Sequence, residues 1–502
     1  MEIICPYCCH RFDASHMVFR MEKTQEEIYM QGMNDEEDEY VDEQLVKYYE
    51  QYEQLPHEQA LMRARELSGG NRTIDIFPTE MGPEVTDYNV QLMRDYHFVP
   101  ELTYQGRRLK KRLCPNCHHE VVKGSGLYEM KLIAMYGSTN SGKTVYLSAL
   151  ESVLAHDPRI ADMPVSYDED LSYQGNEEQQ ELHEEQYEKL IEDGELYSAT
   201  TGGIRVEPQA FLYTYRTPDQ RLTDRQKRKV LVVFCDIAGE DLNRESSLQK
   251  TGFYLRYADG LICLIDATKL PGVKTLLEER TELRETGRVA STVLSSSKAI
   301  DTLTSYMTGE FGDRGIPIPA AMVLTKIDEL EGLPLPGEGS GEIVDHICNG
   351  YSPNDDPNDD HISFFNQRAA RLMNANVQRL LLNLGGKKLG EKIASCFTNY
   401  SFFAVSALGQ APQIQGDKKI LPEPLRPLRV TEPYYWLLAK KNCIPYHYLE
   451  QWLNEKEQKV YNLQFYYYER ERFKDAPDKL KEERAKRFSG KGWKGPRSRD
   501  RI

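Results

Sequence analysis

No stretch of this 502-residue chain approaches the ~18 consecutive apolar residues that a membrane-spanning helix needs. The first residues, Met1 to His10, hold Cys and Pro where a secretory signal would run from basic to apolar. Positive charge is also short. A net charge of -16 argues against wholesale coating of nucleic acid, which leans on Lys and Arg to neutralise phosphates. The 10 cysteines do not read as a disulfide framework, because in so long a chain two Cys-Pro-x-Cys pairs suit metal thiolates in a reducing compartment. No internal repeat is apparent. What remains is a soluble, cytoplasmic chain without a transmembrane segment, long enough for one large core with attached modules.

From Met130 onward, short apolar runs recur: Leu132–Tyr136, Val230–Phe234, Leu261–Ile265, Ala320–Leu324 and Ser401–Val405. They are nearly continuous in hydrophobicity and widely separated, as strands buried on both faces of a parallel sheet are, with helices in the gaps. Two gaps are long, Glu151–Lys229 and Glu331–Tyr400; the second contains Asn354–Asp360, an exposed acidic loop lacking the Gly and terminal Glu of an EF-hand. The expected fold is therefore α/β, with a mostly parallel sheet and flanking helices.

Gly137-Ser-Thr-Asn-Ser-Gly142-Lys143-Thr144 fits the phosphate-loop pattern and lies between the strand Lys131–Tyr136 and a helical segment from Val145. Its glycines let backbone N–H groups of Gly137, Ser138, Asn140, Ser141 and Gly142, with the helix N-terminus, cradle a phosphate. Lys143 would sit between β- and γ-phosphate and the Thr144 hydroxyl would ligate Mg²⁺. Asp236-Ile-Ala-Gly239 ends the apolar strand Val230–Phe234, which puts a carboxylate at the ligand-binding rim, near Mg²⁺. Gly239 would let its N–H approach the γ-phosphate, which a side chain would block.

Thr325-Lys326-Ile327-Asp328 follows the strand Ala320–Leu324. Asp328 can accept both donors of guanine, N1–H and N2–H₂, while the Lys326 stem lies across the ring; adenine offers no such pair. Ser406-Ala407-Leu408 follows Ser401–Val405 and supplies a backbone N–H for the guanine O6. In this order the chain resembles the translation-factor-related (TRAFAC) class of P-loop GTPases. It is particularly similar to the bacterial double-GTPase group of predicted conflict and defence loci, with its DxAGE-type motif and a closing segment like Arg429-Val-Thr-Glu-Pro-Tyr-Tyr-Trp-Leu-Leu438. The likeness runs from about Leu127 to Lys441. With one complete P-loop present, a second GTPase unit is expected in another chain. The resemblance also implies a switch I threonine that completes the Mg²⁺ shell, for which Thr200 and Thr201 are the candidates. Where many relatives carry Gln after DxxG to orient water, this chain has Glu240, which implies slow intrinsic hydrolysis.

Cys5-Pro-Tyr-Cys8 and Cys114-Pro-Asn-Cys117 are two knuckles of a tetrahedral Zn²⁺ site, with Cys9, His10, His118 and His119 as alternative ligands. Their separation makes the ribbon a split one, 1–20 with 108–126, interrupted by a helical acidic insertion, 21–107. In that insertion Val41, Leu45, Tyr48, Tyr52 and Leu55 share one helical face, while Asp35–Glu39 reads as a solvated run. The GTPase domain spans 127–445. A C-terminal helix and basic tail, 446–502, closes the chain, with Arg484–Arg501 dominated by Lys and Arg. The leading expectation is a GTP-controlled switch binding GTP/GDP, with a protein partner at the ribbon, insertion or tail. A nucleotide-holding scaffold with little turnover, an ATP-using P-loop enzyme and a zinc-ribbon nucleic-acid binder are the alternatives.

Overall fold

The computed structural model describes residues 2–32, 41–77, 90–92, 98–100, 102–104, 106–109, 111–122, 125–126, 128–138, 141–156, 187–196, 208–215, 228–236, 253–282, 296–312, 315–350, 365, 367–415 and 418–444. Asp35–Glu39, Asn354–Asp360 and the tail from Tyr446 lie outside them.

The N-terminal part opens with a hairpin, β1 (Glu2–Ile4) against β2 (Arg11–Asp13). Strand β3 (Val18–Glu22) then pairs on one side with β4 (Thr73–Ile76) and, further down the chain, with β9 (Lys111–Leu113) on the other. Between them lie α1 (Gln25–Gly32), α2 (Glu43–Gln51), α3 (His57–Ser68) and two hairpins, β5 (Val90–Leu92) with β6 (Phe98–Pro100) and β7 (Leu102–Tyr104) with β8 (Arg107–Leu109). Segment 21–107 thus carries strands as well as helices. Asp42 starts α2 because its carboxylate accepts from the amides of Gln44 and Leu45, which the helix itself leaves unpaired. Leu45 and Tyr48 on the apolar face of α2 are buried.

The central sheet has six strands in the order β11-β12-β10-β13-β14-β15. They are β10 (Glu129–Gly137), β11 (Gln209–Tyr215), β12 (Arg228–Asp236), β13 (Gly260–Asp266), β14 (Ala320–Thr325) and β15 (Tyr400–Ala404). All neighbours are parallel except the edge strand β11, which runs antiparallel to β12. All five apolar runs are strands; β11, inside the first long gap, is the addition. Side chains alternate between faces. Leu132, Ala134 and Tyr136 enter one core with Leu261, Cys263 and Ile265, while Ile133 and Met135 enter the other with Ile262 and Leu264. Helices Pro271–Glu282, Ser296–Phe311, Ser340–Asn349 and Gln367–Asn383 contribute to the first core. Helix α4 (Lys143–His156) and helix Thr431–Lys440 cover the second. Among the described residues no helix is long and apolar enough to cross a membrane.

A buried ionic network holds the N-terminal part together. Arg20 on β3 donates from Nε and Nη2 to the Asp75 carboxylate on β4, both at 2.7 Å, and from Nη2 to Asp42 at the start of α2. His118 Nδ1 lies 3.0 Å from Asp42 and 3.3 Å from Asp75. Burial works against the proton on His118, but the two carboxylates outweigh it and push its value up to about 9. Burial also disfavours the Asp75 charge, yet hydrogen bonds from Arg20 and His118 hold it down at about 2. With the Arg20, Asp42 and Asp75 side chains only 3%, 1% and 2% exposed, removing one partner strands the others in a dry interior. Arg20→Ala is expected to destabilise this part by about 3–5 kcal/mol, read as loss of amide-exchange protection in β3, β4 and α2 while the central sheet stays protected. Unchanged protection there would show the network to be dispensable.

Candidate functional site

Every motif of the nucleotide reading that falls on described residues lies at the carboxyl edge of the central sheet, where open α/β sheets bind ligands. Gly137 closes β10, and Lys143, Thr144 and Val145 begin α4. A Cβ on Gly137 would stand 2.5 Å from Ser141 Oγ and 2.9 Å from the Leu264 carbonyl oxygen, so only glycine fits. Gly142 has φ +88°, a left-handed value that turns the loop into the helix. Lys143 is buried and folds back to donate from Nζ to the Gly137 carbonyl at 2.9 Å. The hydroxyls of Ser138 and Ser141 are buried with no hydrogen-bond partner among the described residues. Donors of that kind in a tight loop beside a helix N-terminus suit ligand oxygens. Asn140 lies outside the described residues.

Asp236 ends β12, in register with Met135 of β10, two residues short of the loop's first glycine. Gly239, Glu240, Thr200 and Thr201 lie outside the described residues. On the other side of β10, Thr325 closes β14 and donates its hydroxyl to the Ser141 carbonyl at 3.0 Å, tying the two loops together. Lys326 adopts a left-handed backbone, φ 59°, that turns the chain into the short helix Ile327–Leu330 containing Asp328. Burial pushes the Asp328 carboxyl above its ordinary value, while a hydrogen bond from Ser406 and the Lys326 charge pull the other way. Ser406 follows β15, exchanges backbone hydrogen bonds with Leu428 at 2.7 and 3.1 Å, and accepts the Gly409 amide at its hydroxyl; Ala407 and Leu408 complete the turn. The structure therefore brings Gly137–Ser138, Ser141–Thr144, Thr325–Asp328 and Ser406–Leu408 to one rim.

One group at this rim escaped the sequence reading. Asp266 ends the apolar strand β13, is fully buried, and receives the Lys326 ammonium at 2.8 Å. A carboxylate closing an otherwise wholly apolar strand at the ligand edge was the available signal. The closing segment also has a contact that no motif announced: the Tyr146 hydroxyl on α4 donates to the Val430 carbonyl at 2.8 Å.

The second cluster is in the N-terminal part. The sulfurs of Cys5, Cys8, Cys114 and Cys117 all lie within 4.8 Å of one another, with Cys5–Cys117 at 3.6 Å and Cys8–Cys114 at 3.7 Å. Zn–S bonds of about 2.3 Å in a tetrahedron give sulfur separations of about 3.8 Å, so the four residues fit that ion. The knuckles are copies in hydrogen bonding. Cys9 N donates to Cys5 O and His118 N to Cys114 O, both at 2.9 Å, with Cys9 and His118 in matching left-handed conformations at φ 56° and 53°. The alternative ligands lie elsewhere: His118 in the ionic network, His119 stacked on Tyr7 at 4.3 Å, Cys9 in the core under the central sheet, and His10 exposed beside Phe12 at 5.9 Å. Burial pushes the Cys5 and Cys117 thiols well up, a cost that a cation held among the four sulfurs would offset.

A parallel sheet with a glycine-enforced phosphate loop, flanked by Thr-Lys-x-Asp and Ser-Ala-Leu turns, is the arrangement of a GTP-binding P-loop GTPase. Residues 131–378, just under half of the chain, match the Double-GTPase 2 family model, and over that stretch the chain is similar to P-loop GTPases of the double-GTPase group. No curated protein matches the chain. Among solved structures it is similar to the Arl6 BBS3 small GTPase from Trypanosoma brucei with bound GppNp, at 13% identity and TM-score 0.22, covering 62% of this chain and 97% of that one. A bacterial selenocysteine-specific elongation factor EF-Sec matches at 13% identity and TM-score 0.21, covering 56% of this chain and 26% of that one. The signal recognition particle receptor SRb-GTP/SRX complex from Chaetomium thermophilum matches at 12% identity and TM-score 0.22, covering 56% and 95%.

Protein purified without chelators is expected to carry about one Zn²⁺ per chain, and Cys114→Ser to release it and loosen the N-terminal part, because structural zinc binding and local folding are coupled. Metal analysis finding no zinc would remove the ribbon.

Proposed function

We propose that the chain is a GTP-controlled switch in which Gly137–Thr144 and Val145 cradle the phosphates and Asp328 reads guanine. The observation that carries this is the placement of Asp328, in the short helix Ile327–Leu330, at the same rim as the phosphate loop, to which Thr325 ties its segment through the Ser141 carbonyl. In this reading Lys143 leaves the Gly137 carbonyl for the β- and γ-phosphates, and Gly239 offers its N–H to the γ-phosphate. Thr144 and Asp236, with Thr200 or Thr201, form a donor set that suits Mg²⁺, which neutralises charge on the phosphate oxygens when bound. Glu240 adds negative charge near the γ-phosphate, so intrinsic turnover is slow and a partner supplies the missing group. A scaffold with little turnover is the second reading, favoured by the same Glu240.

The split ribbon, 1–20 and 108–126, is a structural zinc module, since four thiolates leave no open position for water. It, the 21–107 insertion or the 446–502 tail docks a protein partner of the 127–445 GTPase domain in the cytoplasm. A role in bacterial conflict or defence rests on the double-GTPase resemblance.

Asp328→Asn tests the base reading. The Asn amide keeps one acceptor for N1–H but sets a donor against the guanine N2–H₂; xanthine has a carbonyl there and regains the bond. An unmade buried hydrogen bond costs about 1–3 kcal/mol, roughly tenfold to a hundredfold in affinity. Titration with GDP and XDP is expected to reverse in preference; a mutant that keeps the wild-type preference for GDP means Asp328 does not read the base. Glu240→Gln is expected to preserve GTP binding and leave single-turnover hydrolysis unchanged or faster. A steep loss would make Glu240 a catalytic base and end the slow-switch reading.

A further inference from the structure

Asp266 is an unusual residue for its strand. Every position of β13 from Gly260 to Asp266 is buried, and Asp266 alone is charged. A carboxylate in so dry a place persists only when its oxygens are taken. Oδ1 accepts the Thr268 amide at 3.1 Å and the Thr268 hydroxyl at 2.6 Å, which fixes the carboxylate's orientation. Oδ2 is left for cations, with Lys326 Nζ at 2.8 Å and Lys269 Nζ at 3.6 Å.

Lys326 is the more exposed member of the pair, its side chain 33% accessible against 0% for Asp266. A lysine stem has four rotatable bonds, and a platform for a flat ring needs them ordered before the ring arrives. Here both ends are fixed. The left-handed backbone at Lys326 sets where the stem leaves the chain, and the Asp266 ion pair sets where it ends.

We propose that Asp266 is a positioning residue for the nucleobase: it anchors the Lys326 ammonium so that the stem is preset as the surface on which guanine lies. This rests on the guanine-site reading of Lys326 and Asp328. The stem offers no donor or acceptor to the ring edge, so losing the anchor weakens GDP and XDP by one common factor. The ratio between them stays with Asp328.

The test is a double-mutant cycle in the full zinc-loaded chain, with Asp266→Asn, Lys326→Met and the pair, measuring dissociation constants for GDP, XDP and ADP and thermal unfolding. Lys326→Met keeps an unbranched apolar stem and removes only the anchored charge at a solvent-accessible position. Each single variant is expected to weaken GDP about tenfold, as loss of one charge-assisted contact does, with the GDP-to-XDP ratio unchanged and the double variant no weaker than either single. Wild-type GDP affinity in Lys326→Met overturns the proposal, whether or not Asp266→Asn folds, because the anchor is then not needed. Multiplied losses in the double variant, or a changed GDP-to-XDP ratio, overturn it too. A wild-type chain that binds ADP as well as GDP overturns the base reading itself, a result distinct from these.

Discussion

At Gly137 the strand that carries the phosphate loop runs so close to its neighbour that one methyl group would collide with the Leu264 carbonyl oxygen, 2.9 Å away. That close approach governs the rim. It lets the loop turn back at once over the end of β10, so Lys143 can reach the Gly137 carbonyl and the helix N-terminus points into the concavity. It also brings the end of β13 beside the loop, and with it Asp266 and, one strand further on, Thr325 and Lys326. The hydroxyl of Thr325 on the Ser141 carbonyl then locks base loop and phosphate loop into one unit. A displacement at any of these points is passed on, because close-packed interiors have no slack to absorb it.

The parts legible in the sequence were those with a strict local pattern. Five strands buried on both faces read as continuous apolar runs, and the phosphate, base and cysteine motifs are contiguous strings whose chemistry depends on spacing. The edge strand β11 was missed because Gln209-Ala-Phe-Leu-Tyr-Thr-Tyr mixes polar and apolar residues inside a long gap, and an antiparallel edge needs no continuous hydrophobicity. Asp266 was missed for a different reason. Its meaning comes from a lysine sixty positions away in sequence and one strand away in space. The ligand choice at the knuckles was equally non-local: Cys9 and His118 hold the same place in two matching turns, and only Asp42 and Asp75, brought in by the insertion, give His118 other work.

That exchange explains how the two cysteine pairs can meet across so long a separation in sequence. The cysteine halves meet through β3 and β9, adjacent in one small sheet although 1–20 and 108–126 are far apart in the chain. The inserted helices are fastened back onto the same sheet by Arg20, Asp42, Asp75 and His118. The insertion therefore does not hang from the ribbon as a loop. Its α2 supplies both a carboxylate to the ionic network and, through Tyr48, an edge-on ring to His119 at 4.2 Å. Each of the two segments thus buries what the other would leave unpaired.

The ribbon is joined to the central sheet by the same logic. Ile4, Cys9 and Val122 do not belong to the small N-terminal core but to the large one under β10, alongside Leu132, Tyr254, Leu255 and Ala258. Tyr52, at the end of α2, packs against both cores. Tyr254 to Ala258 is the stretch through which the chain returns from the Asp236 motif into β13. The return path of that motif and the knuckle residue Cys9 thus share one apolar volume. If the nucleotide shifts the Phe253–Arg256 turn, Ile4 and Cys9 have to move with it or leave a void, and voids in such a core cost more than small rigid shifts. Such a coupling would be reciprocal by thermodynamic necessity: a displacement of Ile4 and Cys9 would be felt at the rim to the same extent in free energy as a displacement at the rim would be felt by them.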